Sequence, residues 1–293
     1  MKIVGFYIAL VLIWLLTLLP LRILYLFSNL FYFIIYYIIG YRKKVVIDNL
    51  QHAFPEKSKS EVITLSKLFF RHFCDILVES AKTIHMSPQE IERRVTYPNP
   101  EILHKYFDRG QSVVLVSGHY GNWEWMSNTP RILKHKALAI YKPLQNEQFN
   151  KLILKIRKRY APQIELIVMN EVVRVIIQQL KNKQVILTWF LTDQTPPRNY
   201  PFRTEFLHRE VPFYTGFEKI AKKFRHAVVY SQMTKIKRGH YKVEFIPLFD
   251  DPAATQEYEI TKKVVSTLEN TIKQQPEYWL WSHRRWKHSK EKP

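Results

Sequence analysis

Ser112-Val113-Val114-Leu115-Val116-Ser117-Gly118-His119-Tyr120-Gly121-Asn122-Trp123-Glu124 is the stretch on which the reading of this chain turns. Its first half is a short apolar run rich in β-branched residues, which predicts a buried strand. Its second half leads through Trp125-Met126-Ser127 towards Leu133 and predicts a helix over about 121–134. A histidine and a carboxylate thus stand at a strand-to-helix junction, where open α/β sheets place their chemistry. Gly118 and Gly121 flank the histidine and let the backbone turn tightly and a substrate come close.

His119 and Glu124 are five residues apart, and side chains share a helix face only at spacings of three or four. They meet only if His119 lies in the turn and Glu124 in the first helical turns. A carboxylate bonded to one ring nitrogen fixes the tautomer and stabilises the imidazolium. The other nitrogen is then free to take a proton from a hydroxyl. No serine or cysteine nucleophile is required if the substrate brings its own hydroxyl. The plainer alternative is a buried histidine satisfied by a polar neighbour.

The chain has 293 residues, enough for one α/β domain or two small ones. Lys and Arg total 45 against 25 Asp and Glu, a net charge of +20. Such a charge implies an anionic partner: nucleic acid, a phospholipid surface, an acidic protein or a phosphorylated substrate. The single cysteine, Cys74, excludes an internal disulfide framework and a cysteine zinc site.

Ile3 to Leu19 is apolar and carries no charge, and after Pro20 and Arg22 the stretch Ile23 to Ile39 is apolar again. Each is near the lower length limit for a membrane span. A cleaved signal peptide would show a small-residue cleavage site, and none is visible. The expectation is an uncleaved anchor at about 1–20, with about 22–40 embedded or interfacial; 1–40 is then the anchor and 41–293 the catalytic domain. Tyr25, Phe27, Phe31, Tyr32, Tyr36, Tyr37 and Tyr41 suit an interface belt, and Arg42-Lys43-Lys44 predicts that the following domain faces the cytoplasm.

Beyond the anchor, Val45 to Phe54 reads as a short helix stopped by Pro55. Ser58 with Glu61 forms a capping box for a helix to about Thr83, whose Val62, Leu65, Leu68, Phe69, Phe73 and Ile76 make a core face. Further helices are expected at Pro88 to Arg94 and up to Phe107. Strands are expected at 112–117, 137–141, 164–169, 185–191, 226–232 and 241–247. Helices are expected at about 121–134, 146–160, 170–182, 211–224 and 254–274. Alternation of this kind predicts a mostly parallel, mixed sheet flanked by helices. The exception is the last strand pair, a hairpin around Lys237-Arg238-Gly239.

Five blocks in order resemble the lipid A biosynthesis (late) acyltransferases, within the H-x-x-x-x-D/E glycerolipid acyltransferase superfamily. The first is Arg42 with Asn49-Leu50 and Ala53-Phe54-Pro55-Glu56. The second is Gly118-His119-Tyr120-Gly121-Asn122-Trp123-Glu124. The third is Tyr141-Lys142-Pro143-Leu144 with Asn146 and Arg157. The fourth is Asp193-Gln194. The last is Gln275-Pro276-Glu277-Tyr278-Trp279-Leu280-Trp281-Ser282-His283-Arg284-Arg285-Trp286-Lys287. The sequence departs from the family at Phe206-Leu207-His208-Arg209-Glu210, where the family has a glycine turn; the change bears on the acceptor more than on the reaction.

The resemblance implies a glycerol-3-phosphate-acyltransferase-like fold in the bacterial inner membrane, catalytic domain on the cytoplasmic side. It implies transfer of a fatty acyl group from a thioester on acyl carrier protein to a hydroxyl of an anionic membrane lipid, a lipid A precursor. His119 is then the general base and Glu124 its orienting partner, and no metal or other cofactor is needed because thiolate leaves readily. Gly118, Gly121, Asn122, Tyr141, Lys142, Arg157, Arg159 and Asp193 are the candidate substrate-binding residues. Arg157 and Arg159 suit phosphate, or form a solvated basic face. Asp193 ends a strand and holds a substrate hydroxyl, braces a basic side chain, or is only a turn residue before Pro196-Pro197. The His283–His288 tail either meets anionic partners or packs structurally.

Other readings remain open at this level. A lysophospholipid, glycolipid or aminolipid acyltransferase shares the dyad. A membrane-tethered basic binding protein fits the charge, but no nucleic-acid reader motif is present, and no H-E-x-x-H set supports a metallohydrolase.

Overall fold

The computed structural model describes residues 10–289. Residues 1–9, half of the expected 1–20 anchor, lie outside that range. After a helical stretch at 10–16, Pro20 opens helix α1 (Leu21–Phe33), which continues as a π-helix over Ile34–Ile39 and stops at Gly40, in the left-handed region at φ 66°. The 19 residues Leu21–Ile39 are long and apolar enough to cross a membrane. Leu26, Leu30, Phe33, Ile38 and Ile39 are more than half exposed, while Leu21, Leu24, Ser28, Tyr32 and Tyr36 pack inward.

Helices α2 (Lys43–Ala53) and α3 (Lys59–Lys82) follow. The Ser58–Glu61 capping box is formed in both directions, so two otherwise orphaned amides at the start of α3 are satisfied. Helix α4 (Pro88–Arg94), the short strand β1 (Val95–Thr96) and helix α5 (Glu101–Asp108) lead to strand β2 (Val113–Ser117). The rest of the α/β part comprises β3 (Lys136–Tyr141), α6 (Glu147–Arg157), β4 (Glu165–Val168), α7 (Val172–Lys181) and β5 (Ile186–Leu191). Then come β6 (Arg203–Phe206), β7 (Arg209–Pro212), α8 (Gly216–Phe224), β8 (Ala227–Lys237), β9 (His240–Phe249) and α9 (Glu259–Gln274).

Seven strands form one sheet in the order β1-β9-β8-β2-β5-β3-β4. The run β8-β2-β5-β3-β4 is parallel; β9 is antiparallel to β8, and β1 lies parallel to β9. The mixed α/β sheet expected from the sequence is therefore the one observed, and the β8–β9 hairpin turns at Arg238-Gly239. β2 is buried at every position because it is central and covered on both faces. Alternate residues serve different cores: Val114 and Val116 join the cluster under α9 and the carboxyl-terminal tryptophans, Val113 and Leu115 the cluster under α5 and α4.

Two expectations need correction. The segment after Asn122 is a 3-10 helix, Trp123–Ile132, and not an α-helix. Pro130 lacks the amide that an α-helical turn would use, and the Asn128 side-chain amide takes the Trp125 carbonyl. The expected helix at 211–224 begins only at Gly216, because 203–212 is an antiparallel hairpin. Its two turn residues, Leu207 and His208, have φ of 50° and 65°, a turn that normally selects glycine or asparagine. Leu207 is fully buried and donates its amide to Glu269, which holds the turn without glycine.

Helix α9 lays Ile260, Val264, Leu268 and Ile272 along one buried stripe. Leu268 is fully buried beneath Gly118. Leu268→Ala should lower the unfolding free energy by about 2–5 kcal/mol, read from denaturant unfolding of detergent-solubilised protein.

Candidate active site

Parallel pairing of β2 with β5 sets Ser117 beside Leu191, and the Thr192 amide extends the ladder to the Ser117 carbonyl. The next residues out of each strand therefore emerge side by side. His119 Nδ1–H donates to Asp193 Oδ1 at 2.6 Å, and the His119 backbone amide donates to Oδ2 at 2.8 Å. Trp279 Nε1 gives Oδ2 a third donor at 2.8 Å. Asp193 is buried and His119 nearly so. Gly118 is required here: a Cβ would lie 2.6 Å from Leu268 Cδ1 and 3.2 Å from Asp193 Oδ2. Gly121 sits at φ 61°, and a Cβ there would meet Met233 Sδ at 2.8 Å.

The carboxylate on the imidazole is thus Asp193 and not Glu124. Glu124, on the 3-10 helix, is taken by Arg157 in a bidentate pair, Nε to Oε2 at 3.1 Å and Nη2 to Oε1 at 2.8 Å. The sequence reading took Glu124 for this partner and Asp193 for a substrate-binding residue; the adjacency of β2 and β5 puts Asp193 on the ring instead. Burial acts against a charged His119, but the Asp193 charge and hydrogen bond, with a smaller contribution from Glu124, raise its pKa above the ordinary imidazole value, Arg157 opposing. Burial also acts against an ionised Asp193, but the His119 ring and the donors around it hold its carboxyl well below the usual carboxylate range.

The turn is clamped by the carboxyl-terminal segment. The Leu280 amide donates to the His119 carbonyl at 3.1 Å and the Gly121 amide to the Tyr278 carbonyl at 3.0 Å. In the tail beyond, Trp281, Arg285 and Trp286 are buried, Arg285 lying 4.0 Å from the Phe213 ring centre. That part of the tail packs the domain.

His119 lines a cavity of about 830 Å³ whose walls are mostly apolar. Tyr141, Lys142 and Arg157 line it too, with Ile153, Leu154, Phe190, Phe217 and Ile220. Lys219 and Lys223 of α8 add two further cations that the sequence reading did not single out; their spacing of four from each other, which puts both on one helix face, was the available signal. Of the other sequence candidates, Asn122 is fully buried away from the cavity and Arg159 is exposed and does not line it. Asn122 instead caps the 3-10 helix through the Trp125 amide. None of residues 206–210 lines the cavity, so the unusual turn lies outside its wall. With Nδ1 committed to Asp193, Nε2 is the ring nitrogen left for a substrate proton.

Fold and site together describe an α/β protein in which a histidine, backed by a buried aspartate, lines a large apolar cavity with several cations. The chain belongs to the bacterial lipid A biosynthesis acyltransferase family, whose model matches residues 1–288. Among curated proteins none matches the chain.

Glu124→Gln removes a negative charge near His119 and frees the Arg157 cation, and both effects disfavour imidazolium. The His119 ring should therefore titrate at lower pH than in the unmodified protein, measured by NMR of its Cε1–H signal; an unchanged or higher titration point contradicts the coupling.

Proposed function

We propose that the protein transfers a fatty acyl chain from an acyl thioester of acyl carrier protein to a hydroxyl of a lipid A precursor. The observation that carries this reading is His119 in the wall of an apolar cavity of about 830 Å³, its Nδ1 held from behind by the buried Asp193. A cavity of that size is within the range of small-molecule sites, and its apolar walls suit an acyl chain. Family membership supports the same reaction class.

In this mechanism the acceptor hydroxyl gives its proton to His119 Nε2 as its oxygen bonds to the thioester carbonyl carbon. Asp193 holds the ring in the tautomer that leaves Nε2 basic and stabilises the imidazolium that forms. The tetrahedral species collapses, the carbon–sulfur bond breaks, and the imidazolium returns its proton to the leaving thiolate. No covalent enzyme intermediate is formed. Glu124 acts at a distance, through its charge on the ring and by holding Arg157 at the cavity. Arg157, Lys142, Lys219 and Lys223 provide cations for an anionic headgroup.

The apolar helix Leu21–Ile39, with the net charge of +20, supports attachment to an anionic bilayer, where each nearby basic residue adds about 1 kcal/mol. Arg42-Lys43-Lys44 at its end supports a domain on the cytoplasmic side of the bacterial inner membrane.

His119→Ala should lower kcat by about a hundred- to ten-thousandfold without loss of folding. Asp193→Asn should cost kcat on a similar scale, about ten-thousandfold where the wrong tautomer results. Both are read with acyl carrier protein thioester and lipid A precursor, by mass spectrometry of the lipid; normal turnover in His119→Ala rejects the mechanism.

A further inference from the structure

Helix α3 carries a second stripe that its apolar pattern conceals. His72, Asp75, Glu79 and Lys82 fall at spacings of three, four and three, hence on one face, and all four are buried. Burying such groups is costly unless each is fully partnered, and each is. Lys82 Nζ donates to the Thr17 and Leu19 carbonyls at 2.8 and 3.0 Å. Asp75 accepts from Ser28 at 2.7 Å and from Arg238 at 2.6 Å. His72 Nδ1 accepts from Lys235 at 3.2 Å, which leaves Nε2–H to donate to the Gly121 carbonyl at 3.3 Å. Glu79 accepts from Tyr25 at 2.8 Å, Tyr241 at 2.8 Å and Asn122 Nδ2 at 2.7 Å.

The partners fall into two main groups. Thr17, Leu19, Tyr25 and Ser28 belong to the apolar amino-terminal segment; Gly121 and Asn122 belong to the turn that carries His119. Within the row, Glu79 holds both groups with one carboxylate. The chemistry also fixes an orientation. The Trp125 amide only donates, so Asn122 must turn its Oδ1 to that amide, at 3.2 Å, and its NH₂ to Glu79. That bond starts the 3-10 helix on which Glu124 stands, three residues after the turn that holds His119.

We propose that Glu79 is a positioning residue for the acyl-transfer site: it transmits the seating of α1, received through Tyr25, to the His119 turn through Asn122. This rests on the function proposed above. An apolar residue in place of Glu79 would fill the space at less desolvation cost but would leave the buried Asn122 NH₂ without this acceptor.

The test uses the full chain in lipid nanodiscs and two variants, Glu79→Gln and Tyr25→Phe. Backbone hydrogen exchange is followed by mass spectrometry over 117–126, and kcat and KM are measured with acyl carrier protein thioester and lipid A precursor. Glu79→Gln offers Asn122 a donor as well as an acceptor. It should speed exchange in 117–126 and lower kcat by about tenfold or more, with KM within about twofold. Tyr25→Phe removes one oxygen on the far side of Glu79 and should give the same signature at about threefold. Wild-type exchange over 117–126 in both variants overturns the proposal. So does faster exchange spread evenly over β2, β5 and β8, which marks a purely structural role. Should Glu79→Gln not fold, Tyr25→Phe decides alone. Exchange is independent of substrate, so inactivity of the unaltered protein on these lipids counts against the proposed reaction and leaves this inference to be judged by exchange.

Discussion

The hydrogen bond between His119 and Asp193 exists because two parallel strands end together. β2 and β5 are far apart in sequence, and their register brings the residues just past each strand to the same place. Much else in the molecule serves that meeting. Gly118 has no side chain because Leu268 and Asp193 occupy the space. Trp279 gives its indole donor to the oxygen that the histidine ring does not use. A carboxylate buried without such donors would be raised in pKa and lost as a partner; here the donors hold it ionised.

The α/β class was legible because its signal is local. A five-residue apolar run cannot bury itself except as an inner strand, and amphipathic segments between such runs can only be crossover helices. The histidine was legible too, since glycines on both sides and a strand before it mark a turn at a sheet edge. The identity of its partner was not. Glu124 is near in sequence and Asp193 is near in space, and only the strand order, which periodicity does not encode, separates them.

The other differences have equally specific causes. The 3-10 form of Trp123–Ile132 follows from a proline and from side-chain amides competing for backbone carbonyls, both weak signals beside the apolar pattern. The β6–β7 hairpin was hidden because Leu207 and His208 adopt a turn usually marked by glycine. In α3 the apolar residues drew attention from the polar ones. Leu68 and Leu77 are 40 % and 44 % exposed, while His72, Asp75 and Glu79 lie inside. Hydropathy ranks side chains one at a time, whereas burial of a charge depends on partners supplied from elsewhere in the chain.

The clamp on the His119 turn by Tyr278 and Leu280 has a consequence for biogenesis. Chains are made from the amino terminus at about 5–20 residues per second. The apolar helix at Leu21–Ile39 leaves the ribosome long before the residues that brace the turn. Until residues 278–280 have emerged, the His119 turn lacks the two backbone hydrogen bonds that brace it. A chain halted before Tyr278 therefore carries its histidine in a turn that nothing from the carboxyl-terminal segment holds in place.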